Sequence, residues 1–260
     1  MENVSVVLSF YNNEKTIVES IQSVLNQTYK KIELILIDDG SVDQSNYLIK
    51  KNFKKKKNIK IFKNKQNQGL AYSLNKAIKK TNSNLIFRMD ADDISKKDRI
   101  SKQVSFMNKN PKVDLLGSNA YYFDDFGVYE KTCLKLKDEN IKKMLSFKNQ
   151  FIHSSVVFRK SFFIKYSGYD TSLKRGQDHD LWIRGKNSTY ANLKKHLVYH
   201  YKPKKPKGFQ TYYFIFLIIF KNLSKNKKIF ILFILFWVSA LYLKDNLIYL
   251  YSIFKKKNDI

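Results

Sequence analysis

Asp90 and Asp92 are the residues of this sequence whose spacing most directly indicates chemistry. They follow an apolar run at residues 84–89, with Ala91 between them. Alternate residues of an extended chain lie on the same side, so the two carboxylates can hold one hard cation such as Mg²⁺ or Mn²⁺. A cation held there would offset the charge on a departing diphosphate. A plainer interpretation stays open, because the acidic residues here could instead cap a helix that begins near Lys96.

Two further aspartates could take part in ligand binding and proton transfer. Asp39 follows an apolar run at residues 33–37, where it could accept a hydrogen bond from a nucleobase or ribose, although the local composition also suits an ordinary turn. Asp178 could act as a general base, because an unperturbed aspartate with a pKa of about 4 is deprotonated at neutral pH. Gln177, Asp178 and Asp180 could equally cap the helix that follows them. The four histidines of the chain show no spacing typical of a zinc site.

The first half of the chain alternates short apolar runs with stretches of helical periodicity. Strands are predicted at residues 4–10, 33–37, 59–62 and 84–89, and helices at residues 16–25, 45–53, 69–79 and 99–109. This alternation predicts βαβ units and an α/β fold with a parallel sheet. Right-handed crossovers bring the carboxyl ends of such strands to one edge, where open α/β sheets bind ligands. Asp39, Asp90 and the polar residues that follow Phe10 are therefore expected to converge on one cleft.

The second half of the chain is less regular. Further strands are predicted at residues 113–123 and 154–158, and a helix at residues 176–185. Gly69 could supply a positive φ before the helix at residues 69–79, or simply interrupt the regular secondary structure.

The composition is strongly basic, with 49 Lys and Arg against 22 Asp and Glu and a formal net charge of +27. This charge would suit nucleic acid, an anionic membrane surface or a phosphate-bearing substrate. Nucleic acid is the disfavoured partner, because a composition rich in Lys, Asn, Ile, Phe and Tyr together spreads lysine over every surface without selecting a partner. The single cysteine, Cys133, excludes an intrachain disulfide and favours a reducing, cytoplasmic compartment.

A change of composition after residue 200 predicts two domains, residues 1–200 and a helical tail of residues 201–260. The tail contains 12 Lys and 2 Asp, and residues 229–243 form a run of 15 uncharged residues. A bilayer span takes about 20 apolar residues, so this run falls short of one. Apolar stretches framed by lysines and rich in Phe, Tyr and Trp favour a tail lying on the inner face of the cell membrane. A true span and an ordinary soluble helical cap are the alternatives.

An ordered series of sequence blocks resembles the bacterial inverting nucleotide-sugar glycosyltransferases of family 2, which have the GT-A fold. The blocks are SVVLSFYN at residues 5–12 with Glu14, SIQSVLNQTY at 20–29, ELILIDDGS at 33–41, NQGLA at 67–71 with LN at 74–75, and MDADD at 89–93 with RI at 99–100 and Gln103. The series covers about residues 4–185 and is far more specific than any single motif. The resemblance implies a Rossmann-like, mixed and mostly parallel sheet flanked by helices.

The resemblance also implies a donor site built from three of these blocks. Asp39 would bind the nucleobase. Asp92 would bind the Mg²⁺ or Mn²⁺ that bridges the diphosphate, as in the family's Asp-x-Asp motif, and Asp90 would contact the ribose or the metal. The remaining donor contacts would come from Phe10, Tyr11, Asn12, Glu14 and Ala91.

On the acceptor side, Asp178 matches the second residue of the family's Glu-Asp pair and is implied as the catalytic base. The first position of the pair is Gln177 here, which keeps the hydrogen bonding of Glu but loses its charge. His153 falls where the family often has a histidine near the donor phosphates. The implied reaction is a single displacement at the anomeric carbon with inversion, in which Asp178 takes the acceptor's proton.

The expected function is therefore transfer of a sugar from a nucleotide-sugar donor, a UDP-sugar, to a saccharide or lipid-linked acceptor in envelope polysaccharide or glycan biosynthesis. A catalytically weak, glycosyltransferase-like binding scaffold is one alternative, and the change at Gln177 would fit it. A nucleotidyltransferase is another, and it would release pyrophosphate rather than a nucleoside diphosphate. A nucleic-acid-binding protein would bind its ligand tightly and in a salt-sensitive way, and it would have no use for Asp90 or Asp92.

Overall fold

Among the residues that the computed structural model describes, which are 2–203, 239 and 242–243, nine strands form one sheet with helices on both faces. The strands are β1 (Val4–Phe10), β2 (Ile32–Asp38), β3 (Ile59–Lys63), β4 (Leu85–Asp90), β5 (Ile94–Ser95), β6 (Leu115–Asp124), β7 (Gly127–Lys131), β8 (Val157–Arg159) and β9 (Tyr190–Tyr201). The helices are α1 (Ile17–Leu25), α2 (Ser45–Phe53), α3 (Leu70–Lys79), α4 (Arg99–Lys109), α5 (Asp138–Leu145), α6 (Lys160–Lys165) and α7 (Gln177–Arg184), with a 3₁₀ turn at His153–Ser155.

The strand order is β3-β2-β1-β4-β8-β6-β9-β5, with β7 paired to β6. β1 lies in parallel between β2 and β4, so the chain first builds outward to β3 and then crosses back to the other side of β1. β8 runs antiparallel to both β4 and β6, whereas β6 and β9 are parallel. This mixed, mostly parallel sheet confirms the predicted α/β class, and it creates a reversal of strand order between β1 and β4.

Two apolar layers explain why β1, β2 and β4 were visible in the sequence as apolar runs. Every residue of β1 is buried, and β4 is buried up to its last residue, because helices cover both faces of these strands. Parallel strands covered in this way appear in a sequence as continuous apolar runs. Residues of α1 and α4 pack on one face, and residues of α3 and α7 pack on the other.

The predicted strand at residues 154–158 is wrong in its first half. His153–Ser155 form a 3₁₀ turn, and β8 begins only at Val157. The Ser155 hydroxyl lies 2.8 Å from the carbonyl of Ile152, and the Ser154 hydroxyl donates to Asp90 at 2.7 Å. Serine side chains that bond locally in this way compete with a strand ladder, and here they hold a turn.

Five elements were not predicted from the sequence, namely β5, α5, β7, α6 and β9. The longest of them is β9, whose pairing with β6 shifts register on both sides of Asn119. Such irregularities change which face successive side chains occupy, so the strand lacks a regular alternation of apolar and polar residues.

Most of the predicted tail lies outside the described residues. The division into residues 1–200 and 201–260, and the association of the tail with a membrane, therefore stay predictions. Within the described part of the chain, no helix combines the length and the hydropathy that crossing a bilayer requires.

Candidate functional site

A cleft of about 230 Å³ opens at the carboxyl ends of β1 and β4, where the strand order reverses. Open α/β sheets bind ligands at such a switch point. The cleft is lined by Ser9, Phe10, Tyr11, Asn13, Asp39, Asn67, Gly69, Leu70, Asp90, Ala91 and Asp92. The predicted donor residues from all three sequence blocks are thus brought together in one cavity, with two exceptions.

The two exceptions, Asn12 and Glu14, hold the neighbouring loop and are not among the lining residues. Asn12 has a φ of 54°, and its side-chain oxygen accepts a hydrogen bond from the backbone N–H of Val42 at 3.0 Å. Glu14 Oε2 accepts from the backbone N–H of Gln44 at 3.0 Å, and its own N–H donates to Asp43 at 2.9 Å. These bonds tie the loop after β1 to the loop after β2. Direct donor contact by Asn12 and Glu14 stays a prediction.

Asp39 is buried, and its carboxylate already accepts three hydrogen bonds. Oδ1 accepts from the Asn64 side chain at 2.7 Å and from the Gln68 backbone N–H at 3.0 Å. Oδ2 accepts from the Gly69 backbone N–H at 2.9 Å, and Gly69 has the positive φ, 87°, that its position before α3 suggested. A carboxylate offers about four lone-pair sites, so one site on Oδ2 is left for a ligand.

Asp90 is paired with a buried cation. Arg88, only 1% exposed, forms an ion pair with Asp90 Oδ2 through Nη1, and it donates a hydrogen bond from the same nitrogen to Ser154 at 2.9 Å. The Ser154 hydroxyl donates to Asp90 Oδ2 at 2.7 Å. Burial raises the pKa of Asp90, but the Arg88 guanidinium outweighs burial and holds this pKa well below its usual range. Asp90 is therefore a fixed negative charge at the end of β4.

Asp92 is in the opposite electrostatic situation. Burial first, and then the carboxylates of Asp90 and Asp93, raise the pKa of Asp92 to about 7. Like charges that share a site disfavour each other's ionised form. A divalent cation would relieve this repulsion by displacing the proton from Asp92.

Asp93 and His200 join Asp90 in a group that could hold a metal ion. His200 Nδ1 lies 2.8 Å from Asp93 Oδ2, and the backbone N–H of Tyr201 donates to Asp93 Oδ1 at 2.7 Å. One ligand atom each from Asp90, Asp93 and His200 lie within 4.8 Å of one another. The predicted pair was Asp90 with Asp92, and Asp92 stays a predicted ligand beside this group.

The imidazole of His200 is the one nitrogen donor in this group. Burial lowers the pKa of His200, but the Asp93 carboxylate outweighs burial and raises it. A carboxylate bonded to one ring nitrogen of a histidine fixes the ring so that the other nitrogen can face a metal.

In the part of the chain that the structure describes, none of these acidic residues makes a side-chain cap hydrogen bond, although Asp178 and Asp180 lie in the first turn of α7, where a negative charge stabilises the helix. The N-cap of α4 is Asp98, and that of α7 is Gly176, and neither helix has a side-chain cap hydrogen bond. Asp93 bonds to His200 instead, and Asp180 forms an ion pair with Arg184 at 2.8 Å.

Asp178 lies in the first turn of α7, and its Oδ2 accepts a hydrogen bond from Asn149 Nδ2 at 2.7 Å. Gln177 beside it is buried, and its Oε1 has no hydrogen-bond partner among the described residues. Buried polar atoms are almost always paired, so this oxygen is an acceptor that a ligand hydroxyl would satisfy. Asp178 and Gln177 are not among the residues that line the cleft. The charges of Asp178 and Asp90 both raise the pKa of His153, against the larger effect of burial.

His153 is a neutral, half-buried group next to Asp90. Its Nε2 lies 2.9 Å from the Tyr169 hydroxyl, and its ring packs edge-on against those of Tyr169 and Trp182. Burial first, and then the Arg88 guanidinium, lower the pKa of His153 to about 3. Any contact of His153 with a phosphate would therefore be a hydrogen bond between a neutral imidazole and an anion.

Several residues of this site were missed by sequence reasoning. Arg88 interrupts an apolar strand, and a charged residue there is itself a signal that a buried partner exists. His200 is more than a hundred residues from Asp93, so no local spacing could link them. Asn149 and Ser154 carry no sequence signal for the contacts that they make.

Comparison with known proteins gives an independent view of the same chain. A model of the family described as Glycosyl transferase family 2 matches residues 5–167. The chain is 36% identical over 184 residues to the putative glycosyltransferase EpsE of Bacillus subtilis, covering 70% of this chain and 66% of that protein. It is 33% identical over 182 residues to the amylovoran biosynthesis glycosyltransferase AmsE of Erwinia amylovora, covering 69% of this chain and 68% of that one. The chain thus spans about two thirds of the length of these relatives.

Solved structures resemble the fold at low sequence identity. Residues 1–349 of Staphylococcus aureus TarS in complex with UDP match with a TM-score of 0.66 and 22% identity, over 88% of this chain and 69% of that one. The mannosyltransferase PcManGT of Pyrobaculum calidifontis, in complex with GDP-Man and Mn²⁺, matches with a TM-score of 0.65 and 14% identity, over 92% of this chain and 74% of that one.

The half-buried, neutral His153 predicts a loss of stability in mild acid. Between about pH 6.5 and pH 3 the unfolded chain binds a proton at this histidine that the folded chain does not, so stability falls as pH falls. The contribution is at most about 1.4 kcal/mol per pH unit. We expect urea unfolding at pH 7 and pH 5 to show a smaller pH effect in His153→Gln than in the wild type. An equal pH effect in the two proteins would contradict the conclusion that folding lowers the pKa of His153.

Proposed function

The chain belongs to glycosyl transferase family 2, and on that premise we propose that it transfers a sugar from a UDP-sugar to an acceptor hydroxyl, with inversion at the anomeric carbon. The observation that carries this proposal is that Asp39, Asp90 and Asp92 line one cleft at the switch point of the sheet. An acceptor for a nucleobase and carboxylates for a cation, in one cavity, match the two ends of a nucleoside diphosphate.

The lone pairs of Asp39 support uracil as the base. With three of about four sites occupied, the carboxylate can accept one more hydrogen bond, on Oδ2. Uracil presents a single N–H donor between two carbonyls, whereas guanine presents two adjacent donors and would leave one unsatisfied. Tyr11, which is 45% exposed at the cleft, offers a ring on which a base can stack.

The group of Asp90, Asp93 and His200, together with Asp92, would hold the divalent cation, Mn²⁺ or Mg²⁺. Such an ion, when bound, offsets the negative charge that develops on the departing diphosphate. The protein's own contribution is preorganisation. Arg88 keeps Asp90 ionised, and Asp93 keeps His200 oriented.

Asp178 would act as the base that accepts the proton of the attacking hydroxyl at one carboxylate oxygen. Asn149 holds its Oδ2 and thereby orients the side chain. The unpaired Oε1 of Gln177 would accept a hydrogen bond from another hydroxyl of the acceptor. Proton transfer to a positioned base of this kind contributes about a hundredfold to ten-thousandfold in rate.

The acceptor in this proposal is a saccharide or a lipid-linked saccharide of an envelope polysaccharide. The name of the relative AmsE, which ties that protein to amylovoran biosynthesis, supports this class. The basic, aromatic composition of residues 201–260 supports attachment to the inner face of the cell membrane, where lipid-linked acceptors reside.

Donor preference tests the assignment of Asp39. We expect UDP to bind more tightly than GDP by about fivefold to a hundredfold, because one buried guanine donor would stay unpaired. Asn64→Ala frees a lone pair on Asp39 Oδ1 and should reduce the ratio of UDP affinity to GDP affinity. Isothermal titration with Mn²⁺ present measures both ratios. Equal affinity of the wild type for UDP and GDP would refute the lone-pair argument.

Loss of the Asp92 carboxylate tests metal dependence. In a panel of nucleotide sugars with Mn²⁺, Asp92→Asn should release nucleoside diphosphate at least about a hundredfold more slowly than the wild type. The matched control, Glu19→Gln, removes an exposed carboxylate of α1 and should behave as the wild type. Equal turnover by Asp92→Asn and the wild type would exclude Asp92 as a ligand. Release of pyrophosphate from a nucleoside triphosphate and a sugar 1-phosphate, in a parallel assay, would instead identify a nucleotidyltransferase.

Asp178→Asn separates binding from transfer. The variant should bind UDP within about twofold of the wild type and transfer sugar about a hundredfold to ten-thousandfold more slowly. Asn149→Ala should give a smaller loss, because it removes only the orienting hydrogen bond. The control Glu139→Gln lies on the exposed side of α5 and should be neutral. Sugar transfer by Asp178→Asn at the wild-type rate would show that Asp178 is not the general base.

A further inference from the structure

A pair of tyrosines stacks on the face of the sheet opposite to the one that carries His200. Tyr121 of β6 and Tyr199 of β9 are neighbours across the two strands, with ring centroids 5.1 Å apart and an interplanar angle of 23°. His196 packs against Tyr121 with centroids 4.9 Å apart. Successive side chains of a strand point to opposite faces, so these rings lie away from the metal-binding group.

Lysines surround the aromatic pair. The ammonium nitrogens of Lys96 and Lys131 lie 5.4 Å and 5.7 Å from the centroid of the Tyr121 ring. Burial first, and then the charges of Lys195 and Lys96, lower the pKa of Lys102, which shows that these cations are crowded together. The carboxylate of Asp98 contacts Lys102 and neutralises only one of them. We define the basic aromatic face as Tyr121, His196, Tyr199, Lys96, Lys131 and Lys195.

The arrangement of the rings determines which kind of partner fits. Tyr121 is contacted by Tyr199, His196, Lys96 and Lys131, so its ring faces are already occupied. A sugar or a nucleobase stacks on an open aromatic face, which Tyr121 does not offer. Lys131 and Lys195 are exposed, and their charges attract an anionic surface without requiring a shaped pocket.

We propose that the basic aromatic face docks the catalytic domain against the phosphate headgroups of an anionic bilayer. The same strand that carries Tyr199 ends at Tyr201 and leads into residues 201–260, whose sequence contains 12 Lys and 2 Asp. Two basic regions that follow each other along the chain act together on one anionic surface. The docking deepens the proposed function by bringing the cleft to a lipid-linked acceptor, although vesicle binding itself requires no sugar transfer.

Sedimentation of the full chain with vesicles tests the proposal. The triple variant Lys96→Gln, Lys131→Gln, Lys195→Gln should partition onto vesicles of phosphatidylcholine and phosphatidylglycerol on the order of a hundredfold more weakly than the wild type, which is roughly fivefold per lysine. The matched control is Lys54→Gln, Lys55→Gln, Lys56→Gln, which removes the same charge from exposed residues next to β3, at the other end of the strand order. This control should lose less than about twofold, and vesicles of phosphatidylcholine alone should bind every protein weakly.

Cys133 is the single cysteine of the sequence, and it is exposed just after β7. A label on Cys133 tests whether this face docks or whether the tail alone binds the vesicle. An environment-sensitive fluorophore there should shift to the blue on anionic vesicles, whereas the same label in a Cys133→Ser, Lys55→Cys protein should not. The proposal is overturned if the triple variant partitions like the wild type, if both triple variants lose equally, or if the Cys133 label does not respond.

Two further measurements keep the outcomes distinct. UDP affinity with Mn²⁺ should be the same in the triple variant and the wild type, which verifies that the variant is folded. Absent UDP binding by the wild type would count against the proposed function, not against docking. Single-stranded RNA that displaces the wild type from vesicles, and binds it more tightly than the vesicles do, would overturn the lipid assignment in favour of nucleic acid.

Discussion

A guanidinium buried under the carboxyl end of β4 sets the electrostatics of the whole site. An unpaired charge in such a position would cost several kcal/mol, so Arg88 requires an ionised Asp90 as its partner. Once Asp90 is fixed as an anion, the neighbouring Asp92 cannot ionise without cost. Asp93 is stabilised by His200 and by a backbone N–H, and Asp92 is left with a raised pKa. One more positive charge would therefore stabilise the carboxylates of Asp90 and Asp92, at the place where a diphosphate would bind.

The place of the cleft could be predicted because the elements around it obey local rules. Continuous apolar runs identified β1, β2 and β4, and right-handed crossovers then required their carboxyl ends to meet. Asp39, Asp90 and Asp92 follow from strand ends alone, so no long-range information was needed to bring them to one cleft. Asn12 and Glu14 were correctly located at this edge but bind the adjacent loop, because a strand end fixes a residue's position and not the partner of its side chain.

The rest of the site depends on contacts that sequence distance conceals. His200 reaches Asp93 because β9 pairs with β5 and places Ile94 opposite Tyr199, and this long-range pairing is invisible in composition or periodicity. Ser154 and Ser155 were assigned to a strand because the residues after them are apolar, whereas their hydroxyl groups hold a turn. Gln177 is informative in a different way. Only the structure reveals that its oxygen is buried without a partner among the described residues.

β9 has a mechanical consequence that follows from the alternation of its side chains. Tyr199 and His200 are consecutive, one on the basic aromatic face and the other against Asp93, and the backbone N–H of the next residue also binds Asp93. A rigid strand cannot tilt or slide at one of these positions without carrying the other. A displacement of β9 at Tyr199 would therefore also move the imidazole of His200, because the two residues share one peptide unit.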